Sequence, residues 1–143
     1  MKVMIVSDTI CPWCYVGKRR FERALAECTE IKPDIEWRPF QLNPNMPTEG
    51  LDRTAYMRAK FGTDERAEEI YKAIRDAGNR ENIAFAFDLI SRVPNTIGSH
   101  RLISWSLPSG QQDSLVEGLF RSYFVAGQDI GDINVLVEVA AAA

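Results

Sequence analysis

At 143 residues, with 45% hydrophobic and 26% charged positions, the chain is sized for one compact domain and is neither disordered, collagen-like nor coiled-coil in composition. Seventeen Lys and Arg against 20 Asp and Glu leave a net charge of −3, which argues against nonspecific nucleic-acid binding. No apolar run reaches the roughly 20 residues of a bilayer-crossing helix, and Met1–Val6 is too short for a secretory signal, so a soluble cytoplasmic protein without membrane or nucleic-acid partners is expected.

Val3, Met4, Ile5 and Val6 are continuous apolar residues, so Lys2 to Ser7 predicts a short buried strand. Asp8-Thr9-Ile10 then turns, and a helix begins near Cys11 or Pro12, because proline is tolerated where helical N–H groups lack partners. The apolar spacing of Cys14, Phe21, Ala24, Leu25 and Cys28 predicts a helical stripe with Cys14 turned inward and Cys11 at the exposed tip. Lys32-Pro33-Asp34 ends that helix, and Ile35, Trp37 and Phe40 predict a second strand. Pro39 lacks a ladder donor and assigns that strand to a sheet edge. Strand, helix and strand make one parallel, right-handed βαβ unit. The loop Gln41 to Pro47 leaves the same sheet end as the cysteine pair, making Asn43 a candidate wall of a site or, alternatively, an Asn-capped turn.

Downstream, Arg53 to Phe61 predicts a short helix closed by Gly62. Thr63 or Asp64 caps a second one carrying Ala67, Ile70, Tyr71, Ile74 and Ala77, and Gly78-Asn79 is expected to stop it. Ile83, Phe85, Phe87 and Leu89 alternate, as in a strand or an extended crossing segment. Thr96 is read as the cap of a helix through Leu107, broken by Pro108-Ser109-Gly110. Gln111 to Ala126 is amphipathic through Leu115, Val116, Leu119, Phe120, Tyr123 and Phe124; Gly127 ends it, and Asp132 caps a last helix through Ala143. The expected architecture is α/β, a βαβ unit within residues 1–50 followed by a helical region over 51–143. Two strands are few for such a sheet, so the chain is expected to be C-terminally incomplete or to complete its sheet by self-association.

Three cysteines make no disulfide scaffold, and the odd count suits a reducing compartment. Cys11-Pro12-Trp13-Cys14 is the chemically informative segment. A helix start stabilises a thiolate, which assigns attack to Cys11 and resolution of the mixed disulfide to Cys14 one turn later. A redox-active Cys11–Cys14 disulfide then stands in place of a bound cofactor; an inert structural pair is the alternative. No metal is expected, since neither Cys28 nor His100 has ligand-like spacing. Cys28 lies roughly 21 Å along the helix from Cys14 and reads as a buried apolar residue.

Trp13 either contacts substrate or packs on a loop, and Lys18, Arg19, Arg20 and Arg23 either draw anionic thiols such as glutathione or form a solvated face. His100 shares a stripe with Ile97, Ile103 and Leu107, where packing or a local hydrogen bond competes with a share in binding or proton transfer. Asn95 and Arg101 could face a ligand, although Asn95-Thr96 also reads as a helix cap. The segment 129–132 is too short for a calcium loop.

Ser7-Asp8-Thr9-Ile10-Cys11-Pro12-Trp13-Cys14-Tyr15-Val16-Gly17-Lys18 resembles the active segment of the cytoplasmic DsbA-like oxidoreductases often called FrnE-like. Pro39-Phe40-Gln41-Leu42-Asn43-Pro44, Pro94-Asn95-Thr96 with His100-Arg101, and Leu119 to Phe124 leading into Gly127-Gln128-Asp129-Ile130 extend the resemblance across nearly the whole chain. It implies a thioredoxin-like domain interrupted by a helical domain, with Cys11 as nucleophile and Cys14 as resolving cysteine. It also implies a second thioredoxin half bearing a cis-proline, a place that none of Pro33, Pro39, Pro44, Pro47, Pro94 or Pro108 occupies. Thiol–disulfide exchange with protein or low-molecular-weight thiols, glutathione included, is the implied activity. Kappa-class transferases and chromene-carboxylate isomerases of the same superfamily usually carry serine where Cys11 stands, so a glutathione-dependent isomerase or transferase is one alternative. A noncatalytic, chaperone-like binding fragment is another.

Overall fold

The structure, a computed structural model, describes residues 1–143. Lys2–Ser7 forms β1 and Asp34–Pro39 forms β2, paired in parallel from Lys2 opposite Asp34 to Ser7 opposite Pro39. Helix α1, Pro12–Glu27, connects them and completes the expected βαβ unit. A two-residue antiparallel ribbon follows, β3 (Leu51–Asp52) on β4 (Arg92–Val93). Around it lie α2 (Arg53–Phe61), α3 (Asp64–Arg80), α4 (Ile97–Trp105), α5 (Gln112–Phe124) and α6 (Ile133–Ala142). The fold is α/β with a thioredoxin-like βαβ unit and a large helical part. No helix is long and apolar enough to cross a membrane.

β1 is not buried on both faces: Met4 and Val6 are each 57% exposed. A continuous apolar run cannot reveal whether one or two faces of a strand are covered. β2 is an edge strand, as Pro39 requires, and its outer side is tied down by a side chain. The Trp37 N–H donates to Gln112 Oε1 at 2.9 Å, while Gln112 Nε2 donates to the carbonyls of Trp37 at 3.1 Å and Ile103 at 3.0 Å. One glutamine thereby substitutes for a neighbouring strand.

The buried face of α1 also differs from expectation. It carries Tyr15, Val16 and Lys18, whereas Ala24 and Cys28 are exposed and Cys14, Phe21 and Leu25 half-buried. Acids on α5 reverse the hydropathy pattern by drawing Lys18 inward. Lys18 Nζ pairs with Glu22, with Asp113 at 3.3 Å and with Glu117 at 3.4 Å. Burial pulls that ammonium down, but Glu22, Asp113 and Glu117 outweigh it and hold Lys18 above the ordinary lysine range.

The core continues from α1 into the helical part through aromatic rings. Tyr15 stacks on Phe120 with centroids 4.9 Å apart and meets Phe85 edge-on at 6.1 Å. Burial, then Glu117, push the Tyr15 phenol up to about 12. The expected α5 stripe, Leu115, Val116, Leu119, Phe120, Tyr123 and Phe124, is wholly buried. The alternation at Ile83–Leu89 makes no strand; Phe87–Leu89 is a 3₁₀ turn, and Phe85 and Phe87 stack on each other at 4.8 Å. Those rings find aromatic partners instead of a ladder. Helix α3 runs past Gly78-Asn79 to Arg80, because Gly78 is there to admit Phe85: a Cβ on it would lie 2.4 Å from that ring. Thr96 precedes α4 without capping it by its side chain; Asn95 Oδ1 accepts the Ile97 N–H at 3.0 Å instead. α4 ends at Trp105, short of Leu107, and a 3₁₀ turn over Leu107–Ser109 follows. Asp132 caps α6 as expected, accepting the Asn134 N–H at 2.8 Å.

Candidate active site

β1 ends at Ser7, and the following turn closes where the Cys11 N–H donates to the Asp8 carbonyl at 3.1 Å. Pro12 starts α1, leaving Cys11 at its N-cap in an extended conformation. One turn on, the Cys14 N–H donates to the Cys11 carbonyl at 3.0 Å. Both thiols are free and both are half-buried, so the expected contrast of exposed tip and inward residue is absent. They face different spaces instead. Cys11, Pro12 and Trp13 line a cavity of about 310 Å³ between the βαβ unit and the helices. Cys14 lines a separate groove with Val3, Ile5 and Phe21.

The electrostatics of the pair invert the helix-start expectation. The Cys11 S–H donates to Cys14 and brings the Cys14 thiol down to about 6. Burial opposes this, whereas the Asp8 N–H and, more weakly, the nearby Ser7 hydroxyl favour the Cys14 thiolate. The same hydrogen bond and burial push the Cys11 thiol up, against weaker help from the N–H groups of Cys14 and Trp13. A neighbouring sulfur sharing one proton therefore outweighs the helix end. The pair titrates as a unit.

The turn before Cys11 is latched to α4. Asp8, 1% exposed, meets His100 Nε2 with Oδ1 at 3.1 Å and accepts the Leu42 N–H with Oδ2 at 2.7 Å. Thr9 Oγ1 lies 2.8 Å from Ser99 Oγ. His100 is thus buried against Asp8 rather than lining the cavity. Asn43 does line it, and its amide is bonded to Tyr56 Oη at 3.0 Å. Asn95 stands away from the cavity, donating to the Met46 carbonyl at 2.7 Å, and Arg101 is an exposed residue of α4 outside it. The basic residues of α1 are committed to acids: Arg19 to Glu22 and Glu117, and Arg20 and Arg23 to Glu81 at 3.1 and 2.8 Å. They are not an anion-drawing face.

Sequence reasoning missed four residues here. Asp8 could have been noticed as an acid between a strand and the Cys-Pro-Trp-Cys segment. Arg53, Tyr56 and Lys60, by contrast, come to the cavity from α2 and carry no local signal.

The profile of the DSBA-like thioredoxin domain matches residues 2–143. The chain belongs to that family. A probable DsbA oxidoreductase from Streptomyces coelicolor superposes with a TM-score of 0.87 at 30% identity, covering 99% of this chain and 62% of that one. The cytosolic disulfide reductase DsbM from Pseudomonas aeruginosa, solved with GSH, shares the fold at a TM-score of 0.67 and 17% identity, with 99% and 64% covered. The uncharacterized protein YwbO of Bacillus subtilis (strain 168) is 25% identical over 139 residues, 96% of this chain and 64% of its own length. The chain therefore spans just under two thirds of the relatives it matches.

Proposed function

We propose that this DSBA-like domain performs thiol–disulfide exchange through Cys11 and Cys14, as a FrnE-like protein of the cytoplasm. The observation that carries the reading is the division of labour in the pair. Cys11 faces the cavity, where a substrate disulfide can approach, while Cys14 has the lowered thiol and accepts the Cys11 proton. Transfer of that proton makes Cys11 the attacking thiolate. It forms a mixed disulfide and releases one substrate thiol; Cys14 then attacks Cys11, releases the second and leaves the Cys11–Cys14 disulfide. Run backwards, the same steps oxidise a dithiol. Protein or small thiols, glutathione among them, are the proposed partners. Pro12 fixes the helix start, Trp13 and Asn43 wall the cavity, and His100 positions Asp8 beneath the pair. Asn95, just before α4, holds the Met46 loop through its side-chain amide. Arg101 is exposed on α4 outside the cavity. Residues 1–50 supply the redox pair and residues 51–143 the cavity's opposite wall, which is the functional meaning of the proposed division.

The test is a Cys14→Ser variant treated with a small disulfide and mapped by peptide mass spectrometry. Accumulation of a mixed disulfide on Cys11 is expected. Adducts confined to exposed Cys28 would contradict the assignment.

A further inference from the structure

The cavity beside Cys11 is mostly apolar and carries charges of one sign. Ile10, Ile70, Ile74, Ile90, Phe87 and Phe124 give it an apolar interior, and its only charged lining residues are Arg53 and Lys60. Every basic residue of α1 near the pair is neutralised by a carboxylate, but neither Arg53 nor Lys60 has one within 4.0 Å. Both are instead held on aromatic faces. The Arg53 guanidinium lies 5.0 Å from the Tyr71 centroid and 5.9 Å from that of Phe87. Lys60 Nζ lies 5.3 Å from the Tyr56 centroid and donates to Tyr56 Oη at 3.1 Å. Cation–π contacts orient these groups without cancelling their charge, so two cations of an acidic protein remain available to a ligand.

We infer that the cavity is a specificity pocket for small disulfides, or their thiols, that join an aromatic or branched apolar body to a carboxylate, recognised by Arg53 and Lys60. This rests on the exchange reading above and names its substrate class. About 310 Å³ suits a small molecule more than an extended chain. The apolar body fills the space beneath Tyr71 and Phe87, the carboxylate meets the two cations, and the sulfur is delivered to Cys11. In the reducing direction Cys11 forms the mixed disulfide as the substrate S–S bond breaks, and the departing thiolate takes up a proton. Cys14 then closes on Cys11 and expels the second thiolate. Two electrons pass from the dithiol to the substrate, and no other reductant enters.

The experiment compares the reduced protein's reaction with 5,5′-dithiobis(2-nitrobenzoate), aromatic and anionic, and with 2,2′-dithiodipyridine, aromatic and neutral, each rate divided by that of free 2-mercaptoethanol. The normalised anionic-to-neutral ratio is expected to exceed one and to fall about tenfold in Arg53→Gln with Lys60→Gln, the loss of a charge-assisted contact. A ratio indifferent to both substitutions, or a neutral peptide disulfide outpacing both reagents, would overturn the substrate class while leaving exchange intact. Both reagents reacting no faster than with the free thiol would overturn the exchange reading and the inference with it. In the unsubstituted protein, 2-naphthoate, which has no sulfur, is expected to protect Cys11 from iodoacetamide where 2-naphthalenemethanol does not. Equal protection would count against the cationic contact without any variant having to fold.

Discussion

At the residue scale the proposed chemistry turns on one shared proton. The Cys11→Ala variant removes the S–H that lowers Cys14, so the Cys14 midpoint is expected to rise from about 6 towards the ordinary thiol value of 9.0, followed by thiolate ultraviolet absorbance. The linked effect on stability has a definite sign. Cys14 is lowered on folding, so its contribution is fully present above the unfolded value and is lost as pH falls through about 6. Cys11 is raised, and its contribution is lost as pH climbs above 9.0. Denaturant unfolding of the reduced protein should therefore show stability rising from about pH 6 to about 9 and declining beyond. The pair itself was legible in the sequence because its segment joins an apolar strand to an amphipathic helix. Which sulfur loses its proton first was not, because that depends on the Cys11 thiol and the Asp8 N–H both acting on the Cys14 sulfur.

Elements were legible where their own periodicity decides them. α5 has the stripe its hydropathy predicts, and Pro12 and Asp132 start their helices. Long-range packing governed the exceptions. Gly78, which locally reads as a stop signal, lies inside α3 because Phe85 occupies the space its missing Cβ leaves. Gly78→Ala therefore sets an improved helix propensity of about 1 kcal/mol against overpacking of about 1–3 kcal/mol. With the ring only 2.4 Å from the new atom and itself packed on Tyr15 and Phe87, a net loss of stability is expected in urea titration. A gain would show that Phe85 can move aside freely. The same dependence on distant partners explains why Cys28 is exposed and Lys18 buried, against the apolar stripe of α1.

For the whole molecule, Lys18 and Arg19 are the charges that join α1 to α5. Replacing Lys18 with Met leaves Asp113 without a cation and Glu22 and Glu117 with Arg19 alone, and because these acids are partly exposed the expected loss is about 1 kcal/mol in denaturant unfolding. No measurable loss would mean that solvent and Arg19 already compensate these acids. The fold class and the βαβ unit could be read from the chain alone, but the cavity could not, since α2, α3, the Phe87 turn and α5 each contribute a wall. Its placement over Cys11 turns a cysteine pair into a candidate exchange site. The most direct measurement is the pH dependence of the reduced protein's reaction with a small disulfide, with products located by mass spectrometry. The account predicts a rate that rises with a midpoint near 6 and ends in an intramolecular Cys11–Cys14 disulfide. A midpoint at the ordinary thiol value of 9.0, with modification confined to Cys28, would contradict it.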